Sequence, residues 1–337
     1  MDPTSALRRI AFLLEIKNEP SYRVMAFRKA AATLSTLPPG GLEERVAAGK
    51  LRELAGIGEV TEKVILEALA DDVPGYLQKL EVESEGFLPD DGAELLAALR
   101  GDCHVHSDWS DGGSPIREMA ETCIEIGHEY MVLTDHSPRL TVARGLTAAR
   151  LRNQLQVVAD LNGELAPFRI LTGIEVDINE DGTLDQEPEL LAQLDVVVAS
   201  VHSKLRMEQK QMTERMCVAI ANAHMDILGH CTGRMKAGRK DRPESEFDPD
   251  YVFQCCLMFD KAVEINSRPE RLDPPRRLIA QALEMGCKFT IDSDAHAPGQ
   301  LAWKPYGASR AAQMGVPAER VLNTRPADEL VAWSRGH

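Results

Sequence analysis

The chain has 337 residues, of which 44% are hydrophobic and 5% aromatic, which is enough for one large enzyme domain plus a small accessory domain, or for two ordinary domains. A formal net charge of −15 argues against nucleic-acid binding by the whole surface, although local basic clusters remain and bound cations would neutralise some carboxylates. No apolar run reaches the roughly 20 residues that span a bilayer, and the N-terminus lacks a signal-peptide pattern, so we expect a cytoplasmic protein with no membrane partner. The seven cysteines form no CxxC motif, and we expect their thiols to be reduced.

Residues 1–80 have the pattern of a small all-α domain. The segments ALRRIAFLLEIK and SYRVMAFRKAAATLSTL place apolar residues at helical spacing. Further along, Gly56 and Gly58 predict a tight turn whose backbone amides face outward at a helix N-terminus, where a phosphate can bind. Residues 81–100, which include the acidic stretch EVESEG, are predicted to be a linker that ends in a short helix.

Residues 101–337 alternate short apolar runs with amphipathic helical stretches, which is typical of β-α units around a parallel sheet or barrel. Residue types that bind metals stand at or just after the ends of these runs: His136, Glu175, His202, His230, Asp294 and His296. The carboxyl ends of the strands of a parallel barrel converge on one rim, where active sites lie. We therefore expect these side chains to meet in space.

The segment DCHVHSDWSDG adds three candidate ligands. His104 and His106 project to the same side of an extended segment, and Asp111 follows a tight turn close behind them. Any one histidine could have a structural role, and we assign no metal role to His128 and His224, which fall in helical stretches. The joint pattern is difficult to explain without a metal, because such residues are rarely buried without a partner.

Nine nitrogen and oxygen ligands exceed the coordination number of one ion, so the pattern predicts two or three divalent ions, with Glu175 as a bridging carboxylate. The absence of cysteine ligands suits Mn, Zn or Fe. Closely spaced divalent ions favour hydrolysis of phosphate esters, because they lower the pKa of a bound water and stabilise the phosphoryl and leaving oxygens. Candidate cationic contacts to the substrate phosphate follow ligand-bearing runs: Arg234, Arg239, Arg268 and Arg271. Solvated surface arginines are the alternative interpretation.

The segments DCHVHSDWSDG, VLTDHS, GIEVDI, VVVASVHS, DILGHCTGR, VEINSRPERLD and FTIDSDAH resemble the PHP (polymerase and histidinol phosphatase) superfamily in order and spacing, over almost all of residues 101–300. The resemblance implies an α/β fold, a distorted (βα)7 barrel with a trinuclear site at one rim. It implies a catalytic ion site of His104, His106, Glu175 and Asp294. A second site would use Glu175, His202 and His230, and a third Asp111, His136 and His296. Asp111 stands where many relatives have histidine.

The segments EIKNEPSYRVMAFRKAAATLSTLP and LRELAGIGEVTEKVI resemble the helix-hairpin-helix domain that opens family X DNA polymerases. In those polymerases a palm domain normally lies between that domain and a PHP domain. The segment between the two regions of this chain is too short to hold a palm, so polymerase activity is not predicted. Val64 occupies the position of the Schiff-base lysine, which argues against lyase activity. The resemblance leaves DNA binding as the expected role, or packing against the barrel as its alternative. The candidate DNA contacts are Arg28, Lys29, Gly56, Gly58 and Lys63.

We therefore predict a metal-dependent phosphoesterase that acts at DNA ends, gaps or damaged sites, as a 3′–5′ exonuclease, a 3′-phosphatase or an abasic-site enzyme. Hydrolysis would use a water activated at the trinuclear site. The first alternative is a small-molecule phosphomonoesterase of the histidinol-phosphatase type, for which the helical domain has no explained role. The second is a catalytically silent DNA-binding scaffold, against which the complete ligand set argues.

Overall fold

A computed structural model of the chain describes residues 1–236 and 241–336. The chain divides into two compact units, a helical unit, Met1–Leu88, and a barrel unit that begins at Pro89. The division falls within residues 81–100, the segment expected to form a linker. None of the helices in the described residues combines the length and the apolar character needed to cross a membrane.

The helical unit, all of whose residues are described, contains five α-helices: α1 Pro3–Ile16, α2 Ser21–Ser35, α3 Gly41–Ala47, α4 Glu59–Leu69 and α5 Gly75–Ser84. Helix α1 begins where the Asp2 carboxylate accepts a hydrogen bond from Ser5 N at 2.7 Å, and its apolar face is fully buried. The turn before α4 packs closely on α2. Gly56 has φ +79° there, and a Cβ at this position would lie 3.1 Å from Lys29 Cβ, so both conformation and space favour glycine.

The barrel unit contains seven strands within its described residues: β1 Gly101–Val105, β2 Tyr130–Leu133, β3 Arg169–Asp177, β4 Val196–Ser200, β5 Ile227–Leu228, β6 Ala262–Asn266 and β7 Lys288–Asp292. They are parallel and lie side by side in chain order. A bridge between Val105 and Ala295, with His106 N donating to Ala295 O at 2.8 Å, links the two edges. The ring thus nearly closes, and the predicted distorted (βα)7 barrel is confirmed.

Six helices in the described part of the barrel unit connect successive strands: α7 Ile116–Glu125, α8 Ala148–Leu165, α9 Pro188–Leu191, α10 Gln209–Ile220, α11 Pro249–Met258 and α12 Arg276–Met285. Helix α6 Ala93–Ala98 precedes β1, and α13 Lys304–Gln313 and α14 Ala327–Ser334 follow β7. Helix α7 buries Ile116, Met119 and Cys123, which repeat at helical spacing on one face. The strands are buried on both sides, which explains why they appear in the sequence as continuous apolar runs.

The amino-terminal ends of the strands close over an apolar cluster. It joins the first residues of four strands to side chains of α14: Tyr130, Val196, Ile227, Ala262, Leu330 and Trp333. This packing fills one end of the barrel with side chains. Polar groups therefore concentrate at the opposite end, where the strands finish.

Candidate metal centre

All nine predicted ligands lie at the carboxyl ends of the strands, and their donor atoms form four overlapping groups. Within each group the donor atoms are no more than 4.8 Å apart. The groups are His106, Asp111, His136 and His296; His104, His106 and Asp294; His104, Glu175 and His230; and His136, Glu175 and His202. Residues as far apart in the chain as His104 and His296 thus share one site, because parallel strand ends meet at one rim.

Glu175 lies at the middle of this cluster, and its side chain is 1% exposed. Its Oε2 atom lies 3.4 Å from His104 Nε2 and 2.8 Å from His136 Nδ1. Its Oε1 atom lies 2.9 Å from His230 Nε2 and 3.3 Å from His202 Nε2. Each carboxylate oxygen therefore faces a different set of imidazoles, which is the arrangement that a bridging ligand needs.

Some ligands border more than one of the expected ion sites. His202 Nε2 and His230 Nε2 both face Glu175 Oε1, as the family pattern expects, and His202 also lies in a group with His136. His106, expected with the first ion, also lies beside Asp111, and its ring stacks 4.1 Å from the ring of His296. The allocation of ligands to individual ions stays a prediction, while the convergence of the side chains is a property of the fold.

The buried polar atoms of the cluster fit a site for divalent cations. Several of its buried atoms have no hydrogen-bond partner among the described residues: His104 Nε2, His106 Nδ1 and Nε2, His230 Nδ1 and both carboxylate oxygens of Glu175. Burial of so many polar atoms without partners is costly. Imidazole and carboxylate groups are ligands that divalent metals accept, so bound cations would satisfy several of these atoms.

Charges within the cluster shift the pKa values of its members. Burial opposes ionisation of Glu175, but the imidazoles of His202 and His104 outweigh it and hold the pKa of the carboxyl well below its usual range. Burial likewise disfavours a charged His202, yet the carboxylates of Glu175 and Asp177 raise the pKa of its ring to about 9. Below the cluster, burial and the charges of Asp102 and Glu264 raise the pKa of Asp292 to about 8.

The four candidate phosphate-binding arginines differ in their positions relative to the metal cluster. Arg271 is 8% exposed, its Nε lies 3.0 Å from Asp294 Oδ2, and its buried Nη1 has no hydrogen-bond partner among the described residues. Arg268 Nη1 lies 3.4 Å from His296 Nδ1. Arg234 instead donates to the backbone carbonyls of Arg271 and Leu272, at 2.7 and 2.5 Å. Arg239 lies outside the described residues. Arg271 and Arg268 are thus the arginines that border the metal cluster.

Two buried carboxylates at the site were missed by sequence reasoning. Asp135 accepts from Ser107 N at 2.8 Å, from Ser110 Oγ at 2.5 Å and from Gln154 Nε2 at 2.6 Å, which orders the loop between His106 and Asp111. Glu264 contacts His104 Nδ1 at 2.6 Å. A charged residue inside the apolar run AVEIN was the available signal for Glu264.

The two histidines without a predicted metal role lie apart from the ligand groups. Their predicted location was wrong in detail, because His128 and His224 follow the ends of α7 and α10 and do not lie within helices. Both follow a helix whose terminal residues are hard to place from periodicity alone.

The candidate DNA contacts in the helical unit differ in availability. Lys29 and Lys63 are exposed. Arg28 forms a buried ion pair with Glu15, so a phosphate contact at Arg28 would require that pair to break. Gly58 N donates to Thr61 Oγ1 at 2.8 Å and is therefore occupied. The first turn of α4 also carries two carboxylates, Glu59 and Glu62, which oppose a phosphate at that helix N-terminus.

Comparison with known families identifies the barrel unit. Residues 102–267 match the PHP domain. The chain carries a PHP domain. Residues 2–73 match a helix-hairpin-helix domain, which accounts for most of the helical unit.

The chain is similar to curated relatives of two kinds. The chain is 41% identical to "DNA polymerase/3'-5' exonuclease PolX" of Bacillus subtilis (strain 168) over 77% of its own length and 45% of that protein, so it spans less than half of this relative. It is 29% identical to a probable phosphatase of Thermoanaerobacter sp. (strain X514), over 66% of this chain and 89% of that protein. The PHP match, the ligand cluster and these relatives together support a metal-dependent hydrolase of phosphoester bonds.

The chain is also similar to a solved structure of a phosphatase. Histidinol phosphate phosphatase from Lactococcus lactis, in complex with zinc, L-histidinol and phosphate, has a TM-score of 0.46 and 16% sequence identity to this chain. The superposition covers 65% of this chain and 94% of that structure.

Proposed function

We propose that this protein hydrolyses phosphate esters at DNA ends, as a 3′–5′ exonuclease, a 3′-phosphatase or an abasic-site enzyme. The observation that carries the proposal is the cluster of nine metal-type ligands beside the buried Arg271, whose Nη1 atom has no hydrogen-bond partner among the described residues. The helix-hairpin-helix match and the 41% identical relative support DNA as the source of the ester.

The proposed ligands are the nine side chains of the cluster, with Glu175 shared between ions. When bound, divalent cations would lower the pKa of a water molecule and neutralise charge on the phosphoryl oxygens. Arg271 lies beside Asp294, where its Nη1, without a partner in the described part of the chain, can donate a hydrogen bond to a phosphoryl oxygen. Arg268 adds a second positive charge next to His296. Asp135 keeps the loop that carries Asp111 ordered against the site.

In the helical unit we propose Lys29 and Lys63 as contacts to the DNA backbone. Both side chains are exposed, Lys29 on α2 and Lys63 on α4. Lys63 Nζ lies 3.7 Å from Glu67 Oε1, a weak surface pair that a phosphate can replace. Such contacts would provide affinity without base specificity, and the affinity would fall as salt rises.

The second candidate is a phosphatase of small phosphomonoesters. Relatives described as probable phosphatases align over 86–95% of their own lengths with 66–70% of this chain, so most of each relative corresponds to a part of this chain. This alternative uses the same metal cluster and the same Arg271. It differs in the substrate that binds at the rim, which would be a small phosphomonoester in place of DNA.

The third candidate is a DNA-binding scaffold without catalysis. It would require the buried imidazoles and carboxylates of the cluster to remain unpartnered, which is costly. Metal analysis of the purified protein tests it directly. A protein that takes up no stoichiometric metal and melts identically with and without chelator would be a scaffold.

A paired assay separates the first two candidates. The Mn-loaded protein is given 3′-labelled DNA and, in parallel, histidinol phosphate. We expect release of nucleotide or of 3′-phosphate from DNA with a higher kcat/KM than the hydrolysis of histidinol phosphate. Intact DNA together with rapid hydrolysis of the small ester would reject the DNA-end proposal in favour of the phosphatase.

A further inference from the structure

Glu264 occupies a position beneath the metal cluster where three donors converge on one carboxylate. It belongs to β6 and is completely buried. Its Oε1 lies 2.6 Å from His104 Nδ1, across the barrel on β1. Its Oε2 accepts from His230 N at 2.5 Å and from Asn266 Nδ2 at 3.3 Å. Glu264 is therefore connected to two predicted ligands that come from different strands.

The chemistry of these partners determines which atom of His104 carries the proton. The backbone N–H of His230 can only donate, and an ionised carboxylate can only accept. The contact between Glu264 Oε1 and His104 Nδ1 is thus a hydrogen bond when Nδ1 carries the hydrogen. The opposite ring nitrogen, Nε2, is then unprotonated, buried and 3.4 Å from Glu175 Oε2, at the middle of the ligand cluster.

The same strand end also reaches a third ligand. Asn266 Nδ2, besides its contact with Glu264, donates to Asp294 Oδ2 at 3.1 Å. Glu264 and Asn266 lie two residues apart on β6 and so point to the same side of the strand. Together they connect the side chains of His104 and Asp294 and the backbone of His230, which β1, β7 and β5 bring to the rim.

We infer that Glu264 is a positioning residue, which holds His104 in the tautomer that presents Nε2 to a metal ion and fixes the backbone that carries His230. This inference rests on the proposed ligand role of His104 and is independent of the substrate. Carboxylates that hold a ligating imidazole in this way change metal affinity by about 10- to 100-fold when they are replaced.

Two substitutions separate this role from simple space filling. Glu264→Gln keeps the volume, but its amide oxygen must turn towards His230 N–H, which leaves the NH2 group facing His104 Nδ1. The hydrogen of His104 is then forced onto Nε2, the atom needed for the metal. Glu264→Asp is shorter, but it remains a carboxylate, which can accept from His104 Nδ1–H and cannot donate to that atom. The inference therefore predicts metal affinity in the order wild type, Glu264→Asp, Glu264→Gln, and space filling predicts that Gln is better than Asp.

The test is metal binding by the full chain, without any substrate. Chelated wild type and variants are titrated with Co²⁺ or Mn²⁺, with occupancy measured by elemental analysis and ligand geometry by the Co²⁺ absorption spectrum. Asp226→Asn is the matched control, because Asp226 is a buried carboxylate that accepts from Val197 N at 2.7 Å and is absent from the ligand groups. Melting of the chelated proteins measures the structural cost of each change.

We expect Glu264→Gln to lose about 10- to 100-fold in affinity for at least one ion and to change the Co²⁺ spectrum, with Glu264→Asp in between. Asp226→Asn should bind metal as wild type does, whatever its melting temperature. Equal binding by Glu264→Gln and wild type, or weaker binding by Asp than by Gln, would overturn the inference. Failure of the proposed function is a separate result, because wild type would then bind metal and leave DNA intact.

Discussion

The carboxylate of Glu15 on α1 and the guanidinium of Arg28 on α2 form a bidentate ion pair that is buried inside the helical unit. Arg28 Nε donates to Oε1 at 2.9 Å and Nη2 to Oε2 at 2.6 Å. The side chain of Arg28 is 9% exposed and that of Glu15 is 3% exposed. The sequence predicted Arg28 as a contact to DNA, but in the structure its guanidinium links α1 to α2.

Replacing Arg28 by Met should destabilise the helical unit by about 3–5 kcal/mol, because Glu15 would remain as a buried charge without its main cationic partner. Because the chain has two units, the measurement is hydrogen exchange of the amides in α1 and α2. Arg45→Met, which removes an exposed pair with Glu53, should cost less than about 1 kcal/mol. Equal protection in the two variants would contradict the structural role of Arg28.

The catalytic assignment predicts that His106→Ala reduces kcat on phosphate esters by at least about 100-fold, since it removes a buried imidazole that two ligand groups share. The control is His224→Ala, which removes a partly buried imidazole outside the groups and should leave activity near wild type. Initial rates on 3′-labelled DNA with Mn provide the comparison. Retention of full activity by the His106 variant would show that the cluster is not the catalytic site.

Metal removal should lower the stability of the barrel unit. Ligands that bind only the folded state add about 2.7 kcal/mol when their free concentration is about 100 times Kd. We expect chelation to lower the melting temperature and Mn or Zn to restore it, as followed by calorimetry at constant pH. Unchanged melting in both directions would mean that the buried, unpartnered donors of the cluster do not bind metal.

Arg271→Lys should decrease kcat/KM for phosphate esters by roughly 10- to 100-fold, because Lys keeps the charge but loses the planar pair of donors beside Asp294. The metal content should remain that of wild type, since no predicted ligand is removed. Arg277→Lys is the matched control, because Arg277 is exposed and pairs with Glu244. If both variants have equal kinetics on DNA and on histidinol phosphate, Arg271 does not bind the phosphate.

Reversing the charge of the two exposed lysines should weaken DNA binding selectively. Lys29→Glu with Lys63→Glu is expected to raise Kd for DNA and to reduce the slope of log K against log salt by roughly 0.9 for each lost phosphate contact on duplex DNA. Lys79→Glu, an equally exposed change on α5, should have a smaller effect. Hydrolysis of histidinol phosphate should not change in either protein. Unaltered DNA affinity in the double variant would argue that another surface binds DNA.

Much of the architecture followed from local patterns in the chain. Apolar runs separated by amphipathic helices predicted a parallel barrel, and the position of His136, Glu175 or His202 at the end of a run predicted the rim on which each lies. This inference succeeds because a parallel barrel brings every strand end to the same edge, so no knowledge of side-chain contacts is required.

Tertiary structure alone decided the partners of individual side chains. Glu264 meets His104 across 160 residues of sequence, and the ring of His202 borders both His136, at 5.2 Å between centroids, and His230, at 5.3 Å. Neighbouring Arg28 and Lys29 have the same charge, yet one is buried against Glu15 and the other is exposed. Sequence spacing determines the element on which a residue lies, whereas its contacts depend on strand register, helix rotation and side-chain rotamers, which are set only when the whole chain packs.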